Sequence, residues 1–243
     1  MEQMDIEAAI ERLREKTSQS TGSKRRPRPT EKIEFFKPIY DKPIVIRSNI
    51  NETYAAAGIP KRYYGMSFEW LKENGTFQNA NKEAYAVVKD YRDNLAEYMN
   101  TGKGLILRGP AGTGKTSLAV CILKEVMKLN TGAMMISMPN LLDTMLTLSK
   151  GDRVAYLAYE QKLKHIPMLL LDDFGAEYSK SDWVAAKVES IIIERYNSMR
   201  PIILTTNYSD QWTKDNYSGR IYDRLRGEYK VAVFMGQSHR LEN

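Results

Sequence analysis

One cysteine and two histidines in 243 residues are too few for a disulfide framework or a Cys/His metal cluster. The lone thiol, Cys121, reads as a small buried side chain, and a reducing compartment, the cytosol, is expected. His165 and His239 are too isolated to act as ligands. No apolar run reaches the roughly 18 residues of a membrane span. The opening MEQMDIEAAIERLREK is too charged for a secretory signal. A guanine-reading N-K-x-D and a transporter-type S-G-G-Q are both missing, which argues against GTPases and transporter ATPases. No internal repeat is evident.

The chain does hold enough apolar residues, 42%, to build a core. Its net charge of +6 mildly favours a polyanionic partner. From Leu105 onward, short apolar runs alternate with helical patterns. Strands are expected at Leu105–Gly109, Ala133–Met138, Met168–Asp173, Pro201–Asn207 and Lys230–Met235. Helices are expected at Asn81–Met99, Ser117–Leu129, Leu141–Lys164 with a break near Gly151, and Trp183–Met199. That alternation predicts an α/β domain over residues 56–243, with a parallel five-stranded sheet flanked by helices.

Two segments precede this domain. Within residues 1–17, Ile6, Ala9, Ile10 and Leu13 form one apolar stripe on a short helix, which either folds back or docks on a partner. Residues 18–55 read as linker and extended chain, polar and Ser/Pro-rich at first, then broken by Pro38 and Pro43. The basic run Lys24–Arg26 with Arg28 is either a phosphate contact or a solvated linker.

The chemistry concentrates in GPAGTGKTSL, which fits G-x-x-x-x-G-K-[ST] between a strand and a helix. Gly109, Pro110, Ala111, Gly112, Thr113 and Gly114 would curl the backbone so that N–H groups face phosphate, with Ser117 in the helix's first turn. Lys115 would reach the β- and γ-phosphates of ATP, and the Thr116 hydroxyl would bind Mg²⁺. MLLLDD supplies the acidic partner: Asp172 for Mg²⁺ and Asp173 to polarise the attacking water. Aspartate at 173 is a methylene shorter than glutamate, so slow hydrolysis is expected. Asn207, at the C-terminal end of its strand, would orient that water. Arg220 and Arg224 share a helical face in GRIYDRLRG. They are either a trans-acting cation on a neighbour's γ-phosphate or a surface helix paired with Asp223.

GPAGTGKTSLA, LLLDDFGAE, LTTNYS and GRIYDRLRG, in that order, resemble the AAA+ ATPases of the bacterial DnaC/DnaI helicase-loader and IstB transposition-helper group. AAGIPKRYYGMSFEW also resembles the segment that introduces the core in those loaders, so the likeness runs from about Ile59 onward. The resemblance implies Walker B roles for Asp172 and Asp173, sensor 1 for Asn207, the arginine finger for Arg224 and a second arginine of that motif in Arg220. It implies self-association into a ring or spiral. It also implies a hexameric replicative DNA helicase as partner, bound through the N-terminal arm carrying Ile6, Ile10 and Leu13, and single-stranded DNA inside the spiral. Two departures matter: one cysteine excludes the zinc module of some loaders, and no full C-terminal lid follows Arg226, leaving Arg240 a weak sensor-2 candidate.

Single-strand binding needs cations and planar faces. Lys150, Arg153, Lys162 and Lys164, interleaved with Tyr156 and Tyr159, are the candidates, against an ordinary solvated helix with its tyrosines packed inward. Tyr63 and Tyr64 either border the adenine or pack in the core. The expected function is an ATP-dependent helicase loader, bacterial or phage-encoded, with slow, DNA-stimulated hydrolysis. The alternative is an IstB-type transposition helper acting on duplex DNA.

Overall fold

The structure, a computed structural model, describes residues 49–74, 81–176 and 182–238. The five strands form where the apolar runs are: β1 (Leu105–Arg108), β2 (Ala133–Ser137), β3 (Met168–Asp172), β4 (Ile202–Thr206) and β5 (Lys230–Val233). They pair in the order β2-β3-β4-β1-β5, all parallel. β3 and β4 are buried along their whole length, as central strands covered on both faces must be.

Alternation along the strands divides the core in two. Leu105, Leu107, Leu170, Ile203 and Ala232 face one layer of helices: α1 (Ile50–Ala56), α2 (Phe68–Glu73), α3 (Lys82–Asp93), α4 (Leu95–Thr101) and α5 (Lys115–Lys128). Leu169, Leu171, Ile202 and Leu204 face the other: α6 (Met138–Gly151), α7 (Arg153–His165), α8 (Asp182–Asn197), α9 (Asp210–Asn216) and α10 (Gly219–Glu228).

Element starts follow local capping chemistry. Ser67, Ser137, Asp152 and Ser209 each accept from a backbone N–H three residues on, opening α2, α6, α7 and α9. Asp152 is therefore the physical reason for the break expected near Gly151. The single helix expected over Asn81–Met99 is two. Asn94 leaves helical geometry at φ −106°, ψ 22°, and its amide donates to the Asp90 carbonyl and carboxylate, both at 3.0 Å. Residues 50–55 are helical where extended chain is expected, because Asn49 caps α1. Tyr85, Val88, Tyr91, Leu95 and Tyr98 are all buried, as their spacing implies. Cys121 is buried too, and burial pushes its thiol up to about 12.

One feature escapes sequence patterning. Arg195, inside α8, has no solvent exposure. Its guanidinium donates to the carbonyls of Leu163 (2.9 Å), Lys164 (3.4 Å), Ile166 (2.7 Å), Pro167 (3.2 Å) and Pro201 (2.7 Å). Those oxygens sit at the end of α7 and just before β3 and β4, where backbone acceptors have no ladder partner. Arg195→Met keeps the volume and removes the donors. It is expected to cost about 3–5 kcal/mol, seen as a lower urea midpoint at unchanged slope.

Candidate active site

The phosphate loop joins β1 to α5. Gly109, Gly112 and Gly114 adopt positive φ of 148°, 80° and 84°, and Gly114 is the N-cap of α5, which starts at Lys115. A side chain at Gly109 would collide with the Phe234 carbonyl, so the curl needs glycine twice over. Thr113 ties the loop by donating to the Pro110 carbonyl at 2.9 Å. Lys115, only 6% exposed, donates to the Gly109 carbonyl at 2.8 Å and to Pro110's at 2.6 Å.

The acidic partner arrives on β3. Asp172 Oδ1 accepts from the Thr116 hydroxyl at 2.8 Å and from the Thr205 hydroxyl at 2.5 Å. Asp172 is buried, and desolvation holds its pKa above the ordinary 3.8. The two hydroxyl donors oppose that shift, the Asp173 charge adds to it, and the Arg62 charge opposes it again. Asp173 is exposed, with φ of 54°, and its N–H donates to Thr205 Oγ1 at 3.0 Å. Next door, the Phe174 N–H bonds to the Thr205 carbonyl and the Thr206 hydroxyl to the Phe174 carbonyl, both at 2.7 Å. The ends of β3 and β4 are thus latched together, and Asn207 leaves β4 beside them.

A cavity of about 450 Å³ gathers these groups. It is lined by Ala111, Gly112, Gly114, Lys115, Thr116, Ser117, Asp172, Asp173 and Asn207, with Arg62, Tyr63 and Met66 on the other side. That volume lies within the range for a small-molecule site. Thr116 and Asp172 bring a hydroxyl and a carboxylate oxygen together at the phosphate end. This is the sparse oxygen set that suits Mg²⁺ shared with phosphates.

A family model for the IstB-like ATP binding protein matches residues 73–243. The chain belongs to that family. A curated relative of this IstB-like chain is the replicative helicase loader DnaC of Escherichia coli K12. It is 23% identical over 193 residues, 79% of this chain and 76% of the relative. An insertion sequence IS232 putative ATP-binding protein of Bacillus thuringiensis is 27% identical over 154 residues, 60% of this chain and 59% of that one. Among solved structures, that of the DnaC helicase loader superposes with a TM-score of 0.61 at 25% identity, covering 72% of this chain and all of the other. The fold is that of the AAA+ P-loop domains, as the motif order implies.

Not every expected residue joins this cavity. Arg220 and Arg224 lie on α10 and do not line it. The Arg224 guanidinium rests 5.0 Å over the Tyr196 ring and donates to the Arg220 carbonyl at 3.0 Å, leaving its buried Nε without a partner. Neither arginine pairs with Asp223 through any ion pair among the described residues.

Of the DNA candidates, Lys150 and Arg153 are exposed and Lys162 is half-buried. Tyr156 corrects the stacking expectation: it is 4% exposed and packs in the core beneath the Lys187 ammonium. Tyr159 is half-buried against the same cluster. Lys164 is engaged by Glu160 at 2.8 Å. Ile6, Ile10, Leu13 and Arg240 lie outside the described residues. Sequence reading passed over Arg62 and Thr205. Arg62 carries no pattern, but the TT before Asn207 is a hydroxyl signal at the strand end facing Asp172. It also passed over the aromatic stacks behind the site, Phe174 on Tyr217 at 4.9 Å and Tyr208 on Trp212 at 4.1 Å.

Asp172 yields a pH prediction. Because its folded pKa is raised, the ionised carboxylate weakens the metal-free fold at neutral pH. Asp172→Asn should raise the melting temperature of the metal-free protein at pH 7 and abolish Mg²⁺-dependent nucleotide binding. The thermal gain should shrink as pH falls through the raised pKa toward 3.8, where the wild-type carboxyl is also neutral. Melts across pH 4–8 in EDTA check this.

Proposed function

We propose that this chain is an ATP-dependent loader of a hexameric replicative DNA helicase, acting as a self-assembled ring or spiral on single-stranded DNA. The observation that carries the reading is the relationship to the DnaC loader over 79% of the chain, with the ATP-site geometry in place. In this reading residues 1–17 hold the helicase through Ile6, Ile10 and Leu13, residues 18–55 are the tether, which takes in α1 up to its last residue, and residues 56–243 are the motor.

The residues divide the labour at the triphosphate. Inward-facing N–H groups of the loop and the positive end of α5 hold the phosphates. Lys115 exchanges its Gly109 and Pro110 carbonyl acceptors for phosphate oxygens. Thr116 and Asp172 would hold Mg²⁺, which when bound neutralises charge on the β- and γ-phosphates. Asp173, exposed at the mouth, accepts a proton from the attacking water, and Asn207 orients that water. Hydrolysis by one subunit alone is expected to be slow, because the shorter Asp173 reaches less far.

Arg224 completes the site from a neighbouring subunit. Its place outside its own cavity supports a role in trans, and the Tyr196 ring holds it ready at low entropic cost. Lys150 and Arg153 give the DNA-facing side exposed cations for phosphate. The IS232 relative favours a second reading, a transposition helper on duplex DNA, and a clear preference for duplex over single strands would select it.

Two experiments bear on the proposal. In the first, Arg224→Ala should lower ATPase turnover at least about 100-fold while leaving nucleotide affinity within twofold. Mixing it with inactive Lys115→Ala should restore part of the activity, since each subunit then supplies what the other lacks. Turnover that survives Arg224→Ala rejects the trans site. In the second, full-length protein should retain the host's replicative helicase in a pulldown and a form without residues 1–30 should not. Equal retention of both rejects the arm's role, and retention of neither rejects the loader reading.

A further inference from the structure

The cavity's far wall belongs neither to the phosphate loop nor to the sheet. It is the stretch from a short 3₁₀ turn (Lys61–Tyr63) to α2, which contributes Arg62, Tyr63, Met66, Trp70 and Leu71. If phosphates sit at Lys115 and Thr116, the sugar and base fall against this wall. A 3₁₀ turn has little rigidity of its own, and here backbone bonding beyond it is limited to the Met66 N–H on the Tyr63 carbonyl at 3.1 Å among the described residues.

Lys124 supplies what the turn lacks. It stands nine residues beyond Lys115 on α5, is 6% exposed, and donates to the carbonyls of Tyr63 (2.6 Å), Tyr64 (3.1 Å) and Met66 (2.7 Å). Its ammonium also lies 4.7 Å over the Tyr54 ring. Among the described residues its bonded partners are carbonyl dipoles and a ring face, with no carboxylate among them, and burial pushes its pKa down. A buried ammonium is costly unless its donors are all met, so this arrangement fixes the three carbonyls as firmly as they fix the lysine. The same helix that starts at the phosphates thus holds the opposite wall. At 1.5 Å per residue the two lysines are about 13 Å apart along one rigid rod, a span comparable to a nucleoside triphosphate.

We propose that Lys124 is a positioning residue for nucleotide recognition: it sets the wall that receives the nucleoside at a fixed distance from the phosphate loop, without touching ligand. The inference rests on the ATP reading of the cavity and adds a division of labour, with Lys115 for the triphosphate and Lys124, indirectly, for base and sugar.

The test separates the two halves of the ligand. Affinities of the full chain for magnesium ATP and for magnesium tripolyphosphate are measured by calorimetry, for wild type, Lys124→Met and Lys124→Gln. Lys124→Met is expected to bind ATP about tenfold more weakly and tripolyphosphate within twofold of wild type. Lys124→Gln, which keeps a shorter donor, should show the same split at about threefold. Should the Met variant fail to fold by circular dichroism, the Gln variant decides by the same criterion. Equal loss for both ligands overturns the proposal, because general loosening would weaken both, and so does unchanged ATP affinity. Wild-type protein that binds neither ligand sinks the nucleotide reading itself.

Discussion

Asp172 Oδ1 accepts from a hydroxyl on α5 and from a hydroxyl on β4 while its own backbone belongs to β3. One carboxylate oxygen therefore ties the helix behind the phosphate loop to the two central strands. The tie works only because the oxygen is buried, where a hydrogen bond is stronger and the bare charge is costly. The same burial raises the pKa and leaves the carboxylate demanding a cation. Stability of the metal-free domain and readiness for a cation pull against each other at this atom. That is the usual relation between a fold and the site it carries. The Thr205 and Thr206 bonds to Asp173 and Phe174 extend the tie along the strand ends, so Asp173 is held in its positive-φ position by neighbours rather than by preference.

Two buried cations play an equivalent part elsewhere. Lys124 and Arg195 each gather backbone carbonyls of irregular chain and helix ends, three for the lysine and five for the arginine. A guanidinium suits the larger cluster because its donors fan out in a plane, whereas an ammonium caps a tight turn with a compact tripod. Irregular chain next to the sheet is thereby made rigid without extra secondary structure. Neither residue announces itself in sequence, since a lysine or arginine on a helix ordinarily faces water.

The parts legible in sequence are those governed by local rules. Apolar runs bounded by glycine or proline located all five strands to within a residue or two, and the glycine spacing of the phosphate loop fixed its geometry in advance. Helix breaks were harder. Gly151 drew attention, but Asp152 is the cap, and Asn94 splits a periodic pattern that continues on both sides of it. Tyr156 and Tyr159 alternate with cations along the chain, which reads as a nucleic-acid surface. Helical geometry instead turns those rings inward against α8 while Lys150 and Arg153 stay outside. Which face a residue takes follows from its angle on the helix, and the neighbouring elements decide it.

The role proposed for Arg224 depends on a neighbouring subunit rather than on the cavity of its own. Inside one subunit the triphosphate would meet Lys115 and the helix end, while Asp172 and Asp173 bring negative charge to the same cavity. Among the described residues Arg62 is the other cation lining it, on the wall away from the phosphate loop. Apart from a metal ion, a γ-phosphate there would lack a second cationic side chain on the side where charge builds as the bond breaks. Arg224 sits on α10, with its guanidinium over the Tyr196 ring near the end of α8 and its Nε unpaired. A guanidinium so placed gains by exchanging a ring face and one carbonyl for phosphate oxygens, provided the phosphate belongs to the next subunit. On that argument the proposed assembly would speed hydrolysis, and a subunit alone would turn ATP over only slowly.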